Sequence, residues 1–227
     1  DEMIDTPSPN FDARTLPISM VVLHYTGMID GASAINRLAD PEAKVSAHYV
    51  VAEDGQIVRM VDESNRAWHA GKSWWRGISD VNSASVGIEI VNPGHEFGYR
   101  PFPQVQIDSV IRLVAGIVSR YGITRGNVVG HSDVAPARKD DPGELFPWHQ
   151  LAKLRLALPR PTKNLMDPHW SDAGFLLALE RFGYDVTDGP AAVRAFQRRF
   201  RPELMDGIID GECRAILLAL LLPKPMG

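Results

Sequence analysis

Two histidines and a pair of neighbouring aspartates have the residue types and positions needed to bind a metal ion. His24 and His131 each end a short apolar run, the pattern of a buried strand that delivers its last side chain to the edge of a sheet. A loop with several proline and glycine residues leads from His131 to Asp140 and Asp141, and can bring a carboxylate back beside the imidazole. A polar surface loop with one histidine is the alternative interpretation.

Zinc is the metal that this set of side chains favours. It binds imidazole nitrogens and carboxylate oxygens, and a catalytic zinc site leaves its fourth position open for water. His24, His131 and Asp141 would supply such a set, although composition alone does not choose between Asp140 and Asp141. A closed structural zinc site rich in cysteine is excluded, because Cys213 is the single cysteine of the chain.

Glu89 and Lys139 are the charged residues that could work beside the metal. Glu89 stands in the apolar strand pattern of residues 85–91, on the opposite face from Ile88 and Ile90. A carboxylate in such surroundings acquires a raised pKa, as a general base for water needs, and the ammonium of Lys139 could stabilise an oxyanion. The alternatives are a strand with one solvent-exposed face and a solvated surface lysine.

Residues 67–77 are rich in tryptophan and glycine and are predicted to form a loop packed on the body of the protein. Trp74, Trp75 and Arg76 have the aromatic faces and the guanidinium that suit a sugar or peptide groove, and packing of the loop into the core is the alternative. Three interpretations of His69 stay open: a substrate contact, a support for another side chain of the site, and a buried histidine bonded to the backbone.

Composition limits the class of protein. With 227 residues, 44% of them hydrophobic and 23% charged, the chain is long enough for one large and one small globular domain. A net charge of −4 and a pI near 6.0 provide no basic surface for nucleic acid. No apolar run is long enough to span a membrane. The sequence does not determine the oligomeric state.

The apolar periodicity predicts an α/β fold with a mixed central β-sheet flanked by helices. Strands are expected at residues 18–25, 45–52, 57–61, 85–91 and 128–129, with a turn at Asp54-Gly55 joining the second and third. Helices are expected at residues 31–38, between residues 102 and 122, and at residues 148–158.

Proline-rich and polar stretches divide the chain. Residues 1–16 are predicted to form an N-terminal arm, residues 17–158 the large domain, residues 159–167 a linker, and residues 168–227 a small domain. The small domain is expected to contain three helices, at residues 173–182, 191–200 and 212–222. About sixty residues is near the lower limit for independent folding, so packing on the large domain would stabilise it.

Several segments occur in the order typical of a known family. VVLHYTG, SAHYVV, DGQIVRMV, AWHAG, SWWRG, SVGIEIVN and NVVGHSDVAPARKDDPGELFPW resemble the zinc-dependent N-acetylmuramoyl-L-alanine amidases of the AmpD/AmiD type, over roughly residues 17–155. That family shares the amidase-2 fold with peptidoglycan recognition proteins and phage T7 lysozyme. FGY, AVRAFQRRF and DGIIDGECRAIL, within residues 168–222, resemble the three-helix peptidoglycan-binding module. The pairing of the two domains is most similar to the AmiD-like periplasmic enzymes.

The resemblance implies roles for individual residues. The family's zinc ligands correspond to His24, His131 and Asp141, its catalytic glutamate to Glu89, and its transition-state lysine to Lys139. Tyr25 and Thr26 match positions that contact substrate, and we expect Trp68, His69 and Arg76 to line the same site. The implied reaction is hydrolysis of the amide between N-acetylmuramic acid and L-alanine in peptidoglycan or muropeptides, with one zinc ion per chain.

Two other classes of function stay open. A peptidoglycan recognition protein of this fold binds the wall without turnover, and a zinc peptidase cuts within the stem peptide. The full ligand set together with Glu89 and Lys139 favours an enzyme over a binding module. The chain begins at Asp1 without a methionine, and the resemblance implies a periplasmic protein, with outer-membrane anchoring through a removed lipoprotein signal as a further expectation.

Overall fold

The centre of the protein is strand β3 (Met20–Tyr25), which pairs in parallel with a strand on each side. The computed structural model describes residues 3–222. The other strands of its six-stranded sheet are β1 (Ile4–Asp5), β4 (Tyr49–Val51), β5 (Ile57–Arg59), β7 (Ser85–Ile90) and β8 (Val128–Gly130), and the order in the sheet is β1-β5-β4-β7-β3-β8. β4 and β5 are antiparallel across the predicted Asp54-Gly55 turn, so the mixed character of the predicted sheet is confirmed.

The two faces of the central strands pack against different partners, because successive side chains point to opposite faces. Val21, Leu23 and Ile88 lie against helix α4 (Gln104–Tyr121), whose predicted apolar stripe is buried. The helix ends at Gly122, which has the left-handed backbone (φ 62°) that glycine adopts without strain. The opposite face of the sheet carries the side chains of His24 and Glu89 at its carboxyl end.

Short helices follow three strands at that carboxyl end: α1 (Gly31–Ala39) after β3, α3 (Gly94–Phe97) after β7, and α5 (His131–Val134) after β8. α2 (Val81–Ala84) instead leads into the amino end of β7, and α6 (Trp148–Lys153) follows the loop after α5. α6 is five residues shorter than the predicted helix over residues 148–158. It ends because Arg155 is left-handed (φ 59°) and the N–H of Leu156 turns back to the carbonyl of Leu151 at 3.0 Å.

The C-terminal part of the described chain contains the three predicted helices, α7 (Asp172–Phe182), α8 (Gly189–Phe200) and α9 (Gly211–Leu221). Each begins after a side chain that accepts a hydrogen bond from a backbone N–H of its first turn: Ser171, Asp188 and Asp210. Residues 154–171 contain no helix or strand, and the predicted linker lies among them. The three helices share one hydrophobic core with Met20, Val22 and other residues of the sheet.

The N-terminal arm contains two short strands that the sequence analysis did not predict. β1 adds a parallel edge strand beside β5, and β2 (Phe11–Ala13) forms a separate antiparallel pair with β6 (Asn65–Ala67). Open strand edges supply the backbone partners for this polar segment, which composition alone does not indicate. The strand predicted at residues 45–52 is also shorter, since β4 covers Tyr49–Val51. Within residues 3–222, no helix has the length and apolar character of a membrane span.

Candidate active site

Three buried side chains meet at the carboxyl end of the sheet. His24 Nδ1 lies 3.0 Å from His131 Nδ1, and Asp141 Oδ2 lies 3.2 Å from each of those nitrogens. The three residues are between 1% and 6% exposed. Asp140, by contrast, has a side chain that is 57% exposed and pairs with Arg198. The structure therefore places Asp141 rather than Asp140 beside the histidines.

Strand and loop geometry explains why residues so far apart in sequence meet. His24 is the fifth residue of β3, and its neighbour β8 runs directly into α5, which begins at His131. The loop after α5 returns to the same place, because the N–H of Ser132 donates to the carbonyl of Asp141 at 2.9 Å. Parallel pairing of β3 and β8 thus delivers both imidazoles to one edge.

The outer nitrogens of the two imidazoles fix their tautomers. His131 Nε2 lies 3.0 Å from the carbonyl of Ala70, which can only accept, so His131 carries its proton on Nε2. Ser85 donates its hydroxyl to the carbonyl of Val81 at 2.6 Å, and therefore accepts from His69 Nε2 at 3.1 Å. His69 Nδ1 is then an acceptor for His24 Nε2–H at 3.0 Å.

It follows that His24 Nδ1, His131 Nδ1 and Asp141 Oδ2 all present lone pairs to one point. Because no proton lies between these three atoms, their lone pairs repel one another at such short distances. A bound cation would turn this repulsion into attraction. A tetrahedral zinc ion bound at about 2.0–2.1 Å separates its ligand atoms by about 3.3–3.4 Å, close to the observed distances. The described residues contain one such group of potential ligands, and it fits zinc.

The protonation states suit metal binding. Burial, together with the nearby His131, lowers the pKa of His24 to about 4, which keeps the imidazole neutral at pH 7. Burial raises the pKa of Asp141, but the proximity of His131 and His24 outweighs it and holds the pKa well below its usual range, so the carboxylate is ionised at pH 7. Metal ligands must be deprotonated, so this set is ready to bind a cation at neutral pH.

Glu89 lies beside this group on the adjacent strand. In the parallel pairing of β3 and β7 it is directly opposite His24, and both side chains point to the same face. Burial and the neighbouring Asp141 raise the pKa of Glu89 well above its usual range, while Lys139 opposes the rise. Its Oε2 is a buried atom without a hydrogen-bond partner among the described residues. An unpartnered carboxylate of raised pKa is equipped to take up a proton.

An open cleft of about 330 Å³ leads to these residues. Beside the three candidate ligands and Glu89, its lining includes the predicted residues Lys139, Tyr25, Thr26, Trp68 and His69. Tyr25 and Thr26 directly follow His24 at the end of β3, so the same strand that presents a ligand also shapes the wall. Thr26 is held in place by hydrogen bonds of 3.2 Å with the backbone of Asn92.

Comparison with known proteins identifies the family. The family model described as N-acetylmuramoyl-L-alanine amidase (Amidase_2) matches residues 14–144. This chain belongs to the N-acetylmuramoyl-L-alanine amidases. The chain is 38% identical to the amidase AmiD of Escherichia coli K12, over 90% of its own length and 82% of that protein. It is 33% identical to the 1,6-anhydro-N-acetylmuramyl-L-alanine amidase AmpD of Haemophilus influenzae, over 63% of the chain and 86% of that protein.

Solved structures agree with this assignment. A complex of E. coli AmiD with anhydro-N-acetylmuramic acid-L-Ala-D-γ-Glu-L-Lys superimposes with a TM-score of 0.81 at 36% identity, covering 92% of this chain and 91% of that one. AmpDh3 of Pseudomonas aeruginosa gives a TM-score of 0.79 at 32% identity, covering 95% and 97%. The predicted fold and the predicted family of the amidase are therefore both confirmed.

The structure places one predicted substrate contact, Arg76, away from the cleft. Arg76 does not line the cleft: its guanidinium donates to the carbonyl of Phe182 and to Asn127, and stacks near the rings of Trp75 and Phe182. Trp75 is 2% exposed, which supports the core-packing alternative for that tryptophan. His69 reaches the cleft, but both of its nitrogens are bonded within the protein. These bonds favour the interpretation of His69 as a support for His24.

Other residues of the cleft have no sequence pattern that points to a site. Arg37 of α1 and His95 and Glu96 of α3 line its rim. His95 accepts from the hydroxyl of Tyr25 at 3.0 Å and bonds Glu144 through its other nitrogen at 3.0 Å. His95 lies in α3, the first helix after β7, which carries Glu89. This closeness in sequence to Glu89 is the one signal that could have predicted its place in the cleft.

Proposed function

We propose that the amidase is a zinc-dependent hydrolase of peptidoglycan or muropeptides, with one zinc ion held by His24, His131 and Asp141. The bond cleaved is the amide between the lactyl group of N-acetylmuramic acid and L-alanine. One observation carries the proposal: three lone-pair donors converge within 3.2 Å, next to a carboxylate oxygen that has no hydrogen-bond partner within residues 3–222. When bound, zinc would act as a Lewis acid that lowers the pKa of water towards neutrality.

Glu89 performs the proton transfers in this proposal. Its Oε2 accepts a proton from the attacking water, which the raised pKa of the carboxylate favours. The same oxygen then donates that proton to the alanine nitrogen as the amide bond breaks, so that the amine leaves in neutral form. Placement on β7 opposite His24 keeps the carboxylate fixed through both transfers.

Lys139 and the wall of the cleft bind the substrate. The ammonium of Lys139 lines the cleft, where a cation stabilises the oxyanion that develops on the amide carbonyl. Trp68 and Tyr25 offer aromatic surface for the sugar and the peptide. A complex of AmpDh3 contains an anhydromuramic pentapeptide, and we propose that the cleft accepts substrates of that class.

The proposal extends to the place where the enzyme works. Peptidoglycan lies in the periplasm, so we propose a periplasmic enzyme with its C-terminal helices in contact with the wall. Fractionation of cells that produce the complete gene product tests this. Recovery of the protein in the cytoplasmic fraction would contradict it.

The decisive experiment compares wild type with Glu89→Gln, which keeps the size of the side chain and removes the base. We expect both proteins to bind one equivalent of zinc, measured by metal analysis, and the variant to hydrolyse muropeptide at least about 10²-fold more slowly. Mass spectrometry of the products distinguishes the classes of enzyme, because an amidase releases intact stem peptides and a peptidase releases fragments. Zinc-loaded wild type that binds muropeptide without cleaving it would instead favour a recognition module.

A further inference from the structure

The C-terminal helices cover the same face of the sheet that holds the metal-binding residues. Met20 and Val22, which precede His24 on that face of β3, lie in one core cluster with Phe175, Phe196 and their neighbours. Trp75 joins the two parts, with its ring 5.1 Å from that of Tyr184. The helical module (α7–α9 with the preceding loop) is therefore packed directly beneath the site.

A buried hydrogen-bond chain leads from this module to His131. Tyr184, which is 0% exposed, donates its hydroxyl to Asp133 Oδ1 at 2.6 Å. The other carboxylate oxygen of Asp133 accepts from the N–H of Gly130 at 2.7 Å. Gly130 is the residue before His131, and Asp133 lies in the same short helix α5. The Asp133 carboxylate thus stabilises the turn that orients the His131 imidazole, and the Tyr184 hydroxyl is one of the two hydrogen-bond donors to that carboxylate.

A second link leads from α8 to the loop that carries Asp141. Arg198 pairs with Asp140 at 2.8 Å, and Asp140 is the neighbour of Asp141. Arg199 places its guanidinium 3.7 Å from the ring centre of Trp148, at the far end of the same loop, and donates to the carbonyl of Leu158 at 3.1 Å. Two of the three candidate ligands are therefore braced by residues of the helical module.

We infer that the helical module is a positioning element of the metal site, in which Tyr184 acts through Asp133 on His131, and Arg198 acts through Asp140 on Asp141. The inference rests on the proposed metal dependence but assigns the module a task separate from wall binding. A module that only held the enzyme on insoluble wall would leave metal affinity and the hydrolysis of small soluble substrates unchanged. A positioning element alters both.

The test uses Tyr184→Phe, which removes one hydroxyl, in the full-length protein. Tyr49→Phe is the matched control, because Tyr49 is also buried and donates to a carboxylate, Glu63, at 2.8 Å, but it packs on the α4 face of the sheet. We expect Tyr184→Phe to weaken zinc binding by about tenfold, the lower end for partners that orient metal ligands, in competition with a chelator. The visible spectrum of the cobalt(II)-substituted variant is expected to change, and Tyr49→Phe to behave as wild type.

Arg198→Met provides a second variant that does not touch the core, with an expected loss of zinc affinity of roughly twofold, as for a partly exposed ion pair. Hydrolysis of soluble muropeptide should fall in parallel with metal occupancy for both variants. Wild-type zinc affinity and cobalt spectrum in folded Tyr184→Phe would overturn the inference. If Tyr184→Phe fails to fold, wild-type affinity in Arg198→Met overturns it. A wild-type enzyme that binds zinc but cleaves no muropeptide would refute the proposed function and leave these affinity measurements valid.

Discussion

Replacing Gly87 by alanine is expected to disturb the metal site through His69. Gly87 lies in β7, where an added Cβ would be 2.4 Å from Cγ and 2.5 Å from Cδ2 of the His69 ring. Ordinary contacts begin at about 3.4 Å, so the ring must move by about 1 Å. His69 is held by hydrogen bonds of 3.0 Å to His24 and 3.1 Å to Ser85, and a shift of that size breaks at least one of them.

The expected magnitude follows from two opposing effects. Overpacking a buried site lowers the free energy of unfolding by about 1–3 kcal/mol. Alanine also reduces the conformational entropy of the unfolded chain, which raises the free energy of unfolding by about 0.4–1 kcal/mol. This gain is smaller than the loss from overpacking. Zinc affinity should fall by about 10- to 100-fold, because the residue that orients His24 is displaced.

Urea unfolding of the metal-free protein measures the stability change, and competition with a chelator measures the change in zinc affinity. Gly116→Ala is the control, since its Cβ would meet only the end of the flexible Arg120 side chain. In a His69→Ala background the clash is gone, so adding Gly87→Ala should no longer lower the free energy of unfolding and should raise it by about 0.4–1 kcal/mol. An equal loss in both backgrounds would refute the reasoning.

Three further predictions concern charge and placement. The metal-free protein should lose stability to urea as the pH falls from about 6.5 to about 4. Burial lowers the pKa of His24 and His48 to about 4 and that of His69 well below 6.5, so in this pH range the three histidines bind protons in the unfolded chain but not in the folded one. The raised pKa of Glu89 has the opposite effect, because the folded chain binds one proton there that the unfolded chain does not. A flat urea midpoint between pH 7 and pH 4.5 would contradict it. Lys139→Met should slow muropeptide hydrolysis about 10²-fold with zinc affinity unchanged, and an unchanged kcat would exclude Lys139 from stabilising the oxyanion. Arg76→Met should leave the KM for muropeptide unchanged and lower the thermal midpoint, because Arg76 joins Phe182 and Asn127 outside the cleft; a raised KM would restore it as a substrate contact.

The residues of the site could be predicted from sequence where strand geometry places them. A histidine at the end of an apolar run lies at a sheet edge, and alternation along β7 puts Glu89 opposite the buried isoleucines. Sequence spacing could not separate Asp140 from Asp141. The distinction depends on which carboxylate the returning loop buries, and the backbone bond from Ser132 to Asp141 decides that.

Contacts between distant segments account for what sequence analysis missed. The pairing of β2 with β6 brings together two polar segments that are about fifty residues apart. Neither segment has the alternation of apolar residues that would predict a strand. Arg76 has the chemistry of a ligand-binding residue, and only its position beside Phe182 shows that it joins the two parts of the chain. Tyr184 and Arg198 likewise have no local pattern that would connect them to the site.

The register between β3 and β7 fixes the positions of His24 and Glu89, whereas the segments around the cleft are free to vary. His24 and Glu89 face each other across two neighbouring central strands, and a slip of one residue would send Glu89 to the α4 side. Rearranging this pair would therefore dismantle the sheet itself. The cleft rim, formed in part by α1 and α3, carries no such constraint. New wall chemistries can accordingly be accommodated by exchanging rim segments while the reacting groups stay where they are.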